Sequence, residues 1–254
     1  MMTTLLRRVS GLLAWLMDKP IPDDHTAASS APESQPQPDS VSGETASEAA
    51  APEEAPPSET PAKPSGDSAC RAVIFSDRAY STIVAETLNR HPDETGGVLL
   101  GQRKDGIWYV VEATDPGLKT QHSRHTHEMD DDYLNHVFRH LSRTYRKGLM
   151  LLGYWHRHPS SFDFFTGTDM ETNAAYAEAI GDRTLSLLVN IDPAIRLTCY
   201  DCPLQPDGIV RPVPVPVLVG DHHFAGTDFL TPIYPDARIR PVTDRRPIYA
   251  DKIA

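Results

Sequence analysis

The sequence predicts a mixed α/β domain preceded by a long segment that has no core of its own. Three observations carry this. Short apolar runs of strand length alternate with amphipathic stretches of helical period. The turn Lys104-Asp105-Gly106 joins two of the apolar runs as a hairpin. Residues 20–66 are rich in Pro, Ala, Ser and Glu and hold almost no large apolar side chain. Such a composition cannot bury enough surface to offset chain entropy, so a disordered acidic linker is expected over 20–68.

Ahead of that linker, residues 1–19 place Leu5, Val9, Leu12, Leu13 and Leu16 on one helical face, with Arg7, Arg8 and Ser10 elsewhere. The apolar run is too short to span a bilayer, which takes about twenty residues. It has the basic start of a signal peptide but no A-x-A cleavage site directly after it. An amphipathic helix that docks on a partner is the favoured reading, ahead of a membrane-surface helix.

The folded domain is expected over 69–219. Residues 72–75 read as a strand. Asp77 reads as the cap of a helix with Tyr80, Ile83, Val84 and Leu88 on one face. Residues 98–100 and 108–112 read as the hairpin strands. Tyr133, Leu134, Val137, Phe138, Leu141 and Tyr145 give a second amphipathic helix, begun by Asp130-Asp131-Asp132. Residues 149–155 are continuously apolar, which suits a central strand covered on both faces. Thr168 with Glu171 fits a capping box for a further helix. Residues 185–191 and 196–200 read as a closing hairpin. From 211 to 219, Pro212, Pro214 and Pro216 alternate with valines, which suits an edge strand or a polyproline segment. Residues 220–254 are polar and proline-dotted, and a partly ordered extension is expected there.

Composition excludes some functions. The 254 residues carry a net charge of -11, which argues against binding to nucleic acid, since that needs basic surface. The 3 cysteines do not make a disulfide framework, and a reducing cytoplasm is expected. Cys199 and Cys202 form a lone CxxC at the end of a strand. It lacks the helix start of a redox motif, so two partly buried thiols are the favoured reading.

The chemistry concentrates in GYWHRHPSSFDFFTGTD, from Gly153 to Asp169. His156 and His158 are two apart in an extended strand, so both side chains point to one face. Pro159 ends regular pairing directly after them. Asp169 falls in the first turn of the following helix and can project back toward the strand end. Two imidazoles and a carboxylate leave room for water in a fourth position, the composition of a catalytic zinc site. Other histidines compete. His122, His125 and His127 read as a polar loop, His136 and His140 as part of a helix face, and His222-His223 as a late loop.

With Glu94 in an ETGG turn far upstream, these residues resemble the JAMM motif of the JAB/MPN metalloprotease family. The motif runs as a Glu, a distant H-[ST]-H-P and then [ST]-x-x-D. Glu94, His156-Arg157-His158-Pro159 and Thr166-Gly167-Thr168-Asp169 carry the likeness, with ETGGVLLG and GYWH similar to bacterial members. It covers roughly 71–202. Arg157 stands where the family has a small hydroxyl residue and should point away from the metal. Thr166 stands for Ser.

The resemblance implies the MPN fold, a curled mixed sheet flanked by helices. It implies zinc, one per chain, held by His156, His158 and Asp169. Glu94 would take a proton from zinc-bound water and pass it to the leaving amine, and Thr166 would hydrogen-bond the oxyanion. The implied activity is that of an isopeptidase or endopeptidase acting after the C-terminus of a ubiquitin-like protein, in conjugates or precursors. The alternative is a noncatalytic MPN scaffold assembled through the N-terminal helix.

Overall fold

A computed structural model describes residues 69–124, 127–159 and 162–233. The expected N-terminal helix and acidic linker lie outside the described residues, as does the extension beyond 233.

The strands are β1 (Ala72–Phe75), β2 (Gly96–Lys104), β3 (Ile107–Ala113), β4 (Gln121–His122), β5 (His127–Glu128), β6 (Met150–Arg157), β7 (Arg183–Asn190), β8 (Arg196–Pro203), β9 (Val213–Val215) and β10 (Val217–Val219). The helices are α1 (Asp77–Asn89), α2 (Asp131–Ser142) and α3 (Gly167–Ile180), followed by a 3-10 turn at Asp221–Phe224. Among the described residues, eight strands form one mixed sheet in the order β10-β1-β3-β2-β6-β7-β8-β9. The β1–β10, β1–β3 and β6–β7 pairs are parallel and the other pairs antiparallel.

Strand alternation sorts the apolar side chains into two layers. Ile74, Val98, Leu100, Tyr109, Val111 and Tyr154 pack with Leu134 and Leu141 of α2. Val73, Phe75, Leu99, Trp108, Val110 and Trp155 pack with Ala79 and Ile83 of α1. The β2–β3 turn has positive φ at both Asp105 (53°) and Gly106 (72°), the backbone of a tight hairpin turn whose twist matches its strands.

The proline-valine segment is an edge in an unexpected sense. β9 and β10 are separated only by Pro216, yet they pair with β8 and β1 at opposite ends of the sheet. Residues 213–219 therefore carry the chain from one edge to the other, and the sheet curls closed. Pro214 and Pro216 lack donors, but the Pro216 carbonyl accepts from Val73 N at 2.9 Å. Beyond it, Phe224 and Phe229 both pack edge-on against Tyr109.

Two helix starts differ from the expectations. Ser76, not Asp77, caps α1: its hydroxyl accepts from Ala79 N at 3.0 Å and donates to Val111 O at 2.7 Å. That bond to β3 turns α1 so that Ala79, Ile83 and Thr87 face the sheet, while Leu88 stays 54 % exposed. For α3 the capping box is Thr166 with Asp169, not Thr168 with Glu171.

Gly97 shows how tightly the sheet is built next to the histidines. A Cβ there would lie 2.0 Å from Thr114 O and 2.8 Å from Trp155 Nε1, two groups already bonded to each other at 2.9 Å. Gly97→Ala should destabilise the domain by about 2–3 kcal/mol. A urea titration checks this through a lower midpoint at unchanged slope.

Candidate metal centre

The site lies where β6 ends. β6 runs through Trp155, His156 and Arg157, and its pairing with β2 sets Gly96 across from His156. His156 and His158 are 1 % and 3 % exposed. The His156 ring stacks on Tyr154 below it at 5.4 Å. The His158 ring lies 4.1 Å from Phe162.

The three expected ligands converge. His156 Nε2 and His158 Nε2 are 2.9 Å apart. Asp169 Oδ1 lies 3.3 Å from the first and Oδ2 3.4 Å from the second. His158 Nδ1 is 3.1 Å from the Phe162 carbonyl oxygen, which can only accept, so Nδ1 carries a proton. Its other ring nitrogen, Nε2, faces His156 and Asp169. Two imidazole nitrogens and a carboxylate this close are held together by a shared cation, a proton or a metal ion. Nitrogen and oxygen donors in that arrangement fit zinc, and the bond from His158 Nδ1–H to Phe162 O fixes the orientation of that ring. It is the one cluster of this kind among the described residues, with its ligand atoms within 4.8 Å of one another.

Asp169 is held by its own helix start. Burial raises its pKa, but hydrogen bonds from His156 and His158, the charge on His156 and the Thr166 hydroxyl outweigh that and hold it well below the usual carboxylate range. Thr166 N and Thr166 Oγ1 both donate to Asp169 Oδ2 at 2.7 Å. The threonine hydroxyl proton is thus directed at the ligand carboxylate, and Thr166 orients Asp169 in this arrangement.

Glu94 is half-buried one residue before the described pairing of β2 resumes at Thr95. Arg157 N donates to Thr95 O at 2.8 Å, which carries the β2–β6 contact one residue beyond Gly96, next to Glu94. Glu94 precedes β2 by two residues, and its charge acts on Arg157. Glu94 N donates to Ser123 O at 2.9 Å, and His122 Nδ1 lies 3.0 Å from Glu94 O.

Two features here were not anticipated. His122 and His127 pair in the β4–β5 ladder rather than lying in a bare loop, and His122 braces Glu94. The rim beside His158 is aromatic and fixed. Phe162 stacks on Phe164 at 4.5 Å, and Phe164 is 65 % exposed. Asp163 between them is bound by Arg196 at 3.1 Å, by Asn190, and through its carbonyl by Tyr200 at 2.7 Å. Only the repeated Phe in FDFF hinted at this; the Asp163 anchors come from β7 and β8.

The competing residues stay apart. His136 and His140 are exposed on α2, and His222 and His223 stack on each other at 3.9 Å. His125 lies outside the described residues. Cys199 and Cys202 are fully buried in separate apolar clusters, and burial pushes both thiols up.

Residues 76–195 match the family described as prokaryotic homologs of the JAB domain. This segment is a JAB domain of that family. JAB domains include metalloproteases and noncatalytic members. The chain is also similar to a Desulfitobacterium hafniense protein whose structure was determined in solution, at 16 % identity and a TM-score of 0.41, covering 59 % of this chain and 97 % of that one. No curated protein matches the chain. Among the described residues of the JAB domain and its flanks, no helix is long and apolar enough to cross a membrane.

Titration with Co²⁺ or Zn²⁺ should find one site per chain. His156→Ala and Asp169→Ala should each lose about 10-fold or more in affinity, and binding should weaken as pH falls because the ligands must be deprotonated. Undiminished binding by both variants would remove this ligand set.

Proposed function

We propose that the chain is a zinc-dependent isopeptidase or endopeptidase that cuts after the C-terminus of a ubiquitin-like protein, in conjugates or in a precursor. The observation that carries this is the convergence of His156, His158 and Asp169 at the end of β6, with Glu94 in the segment just ahead of the facing strand β2. A structural metal site would use four protein ligands. Here three donors converge, and Glu94, just ahead of the facing strand, would supply the further carboxylate that hydrolysis requires.

Bound zinc would supply Lewis acidity, acidifying water and polarising a carbonyl. The chain's own residues supply the rest. Glu94 accepts a proton from the attacking water and returns it to the departing amine. Asp169, steered by Thr166, and the two histidines would hold the metal. The Thr166 hydroxyl, which donates to Asp169, is the group that would turn its donor toward the developing oxyanion. Phe164 offers a fixed apolar surface to a side chain beside the scissile bond. The ubiquitin-like substrate and a cytoplasmic location are inferred from the likeness of Glu94, HRHP and TGTD to the JAMM motif and from the cysteine usage.

The test is cleavage of a panel of ubiquitin-like fusions and lysine-linked conjugates by the zinc-loaded full chain. The wild type should cut after the ubiquitin-like C-terminus. Glu94→Gln should lose about 10²–10⁴ in kcat while keeping its zinc. Equal cleavage by both proteins would dismiss Glu94 as the base. A zinc-loaded wild type that cuts no member would favour a noncatalytic scaffold. Phe164→Ala should raise KM by about 10-fold and leave kcat near the wild-type value.

A further inference from the structure

The residue between the two histidines is the chain's clearest departure from the motif it resembles. Arg157 is 0 % exposed and by strand alternation shares the side of Trp155, opposite His156. A buried cation is costly there. An apolar side chain of similar volume would fill the space at lower cost. Burial lowers the Arg157 pKa, and the nearby Asp93 and Glu94 charges oppose that.

Its guanidinium is spent on one short stretch of chain. One terminal nitrogen donates to Asp93 O at 2.6 Å and the other to His91 Nδ1 at 2.8 Å. Its main-chain N donates to Thr95 O at 2.8 Å. All three acceptors flank Glu94, while Arg157 Nε has no partner among the described residues. On the other side, Ser123 and His122 take up the Glu94 amide and carbonyl. Behind it, Thr95 Oγ1 donates to Glu86 Oε1 at 2.8 Å, and Arg90 Nε reaches the same oxygen at 3.2 Å.

We propose that Arg157 is a positioning residue that clamps residues 91–95 and so fixes the Glu94 carboxylate against the metal centre. The inference rests on Glu94 serving as the proton carrier of the peptidase. Arg157 lies directly between His156 and His158 in sequence, so one strand segment sets both the ligands and, through the opposite face, their base. A misplacement of about 1 Å at such a base can cost on the order of 100-fold in rate without touching substrate.

The experiment compares the zinc-loaded full chain with Arg157→Met, Arg157→Lys and His91→Ala. It reads zinc content, amide hydrogen exchange, kcat and KM. Arg157→Met should keep its zinc and the protection of α3, exchange about 10-fold faster over residues 91–95, and lose about 10–100-fold in kcat at unchanged KM. Arg157→Lys should recover part of both, since an ammonium lacks the planar fork that spans two acceptors. Wild-type exchange and kcat in Arg157→Met would overturn the proposal, as would loosening spread equally through α3 with loss of zinc. Should Arg157→Met fail to fold, His91→Ala decides. It removes an exposed acceptor, and faster exchange at Glu94 with lower kcat supports the clamp, whereas wild-type values overturn it. A wild type without peptidase activity ends the peptidase reading, and exchange over 91–95 then shows by itself whether Arg157 holds Glu94.

Discussion

The pairing of Gly96 with His156 across β2 and β6 is the constraint on which the rest of the site depends. Side chains alternate along a strand, so His156 faces one side of the sheet and Arg157 the other, and this register brings the segment that carries Glu94 to the end of β6. A slip of one residue would exchange those sides. The core enforces the register from both sides: Trp155 bonds Thr114 O beneath Gly97, and Tyr154 stacks under His156. The site thus inherits its precision from a strand pair buried in the domain centre.

The carboxylate of the candidate metal centre reaches the strand end by a different device. Asp169 occupies the third position of α3, where a carboxylate closes a capping box with Thr166 and favours the positive helix end. The same oxygen that accepts from Thr166 N and Oγ1 faces His158. Helix initiation and ligand placement are therefore one geometric event. Asp163 performs the matching service for the rim, since its bonds to β7 and β8 hold the aromatic loop against His158.

Local chemistry made much of this legible in the sequence. The alternation of His156 and His158, the hairpin at Asp105-Gly106 and the strand and helix periods over 72–200 each depend on neighbours within a few residues. Errors arose where distant contacts decide. Ser76 caps α1 because its hydroxyl also reaches Val111 on β3. Thr168 satisfies the same capping pattern as Thr166, and the choice falls to Thr166 because its partner Asp169 also meets the histidines. Residues 213–219 join both edges of the sheet, a property of curvature that no stretch of alternating proline and valine displays. Arg157 was correctly expected to face away from the ligands, but its burial against Asp93 and His91 depends on a turn more than sixty positions earlier.

The most direct test of the account is a crystal structure of the zinc-loaded chain with anomalous data collected on both sides of the zinc edge. One strong peak within ligand distance of His156 Nε2, His158 Nε2 and an Asp169 oxygen, with the Glu94 carboxylate on the open side, is the expected result. A peak at Cys199 and Cys202, at the exposed histidines of α2, or nowhere in the domain would contradict it.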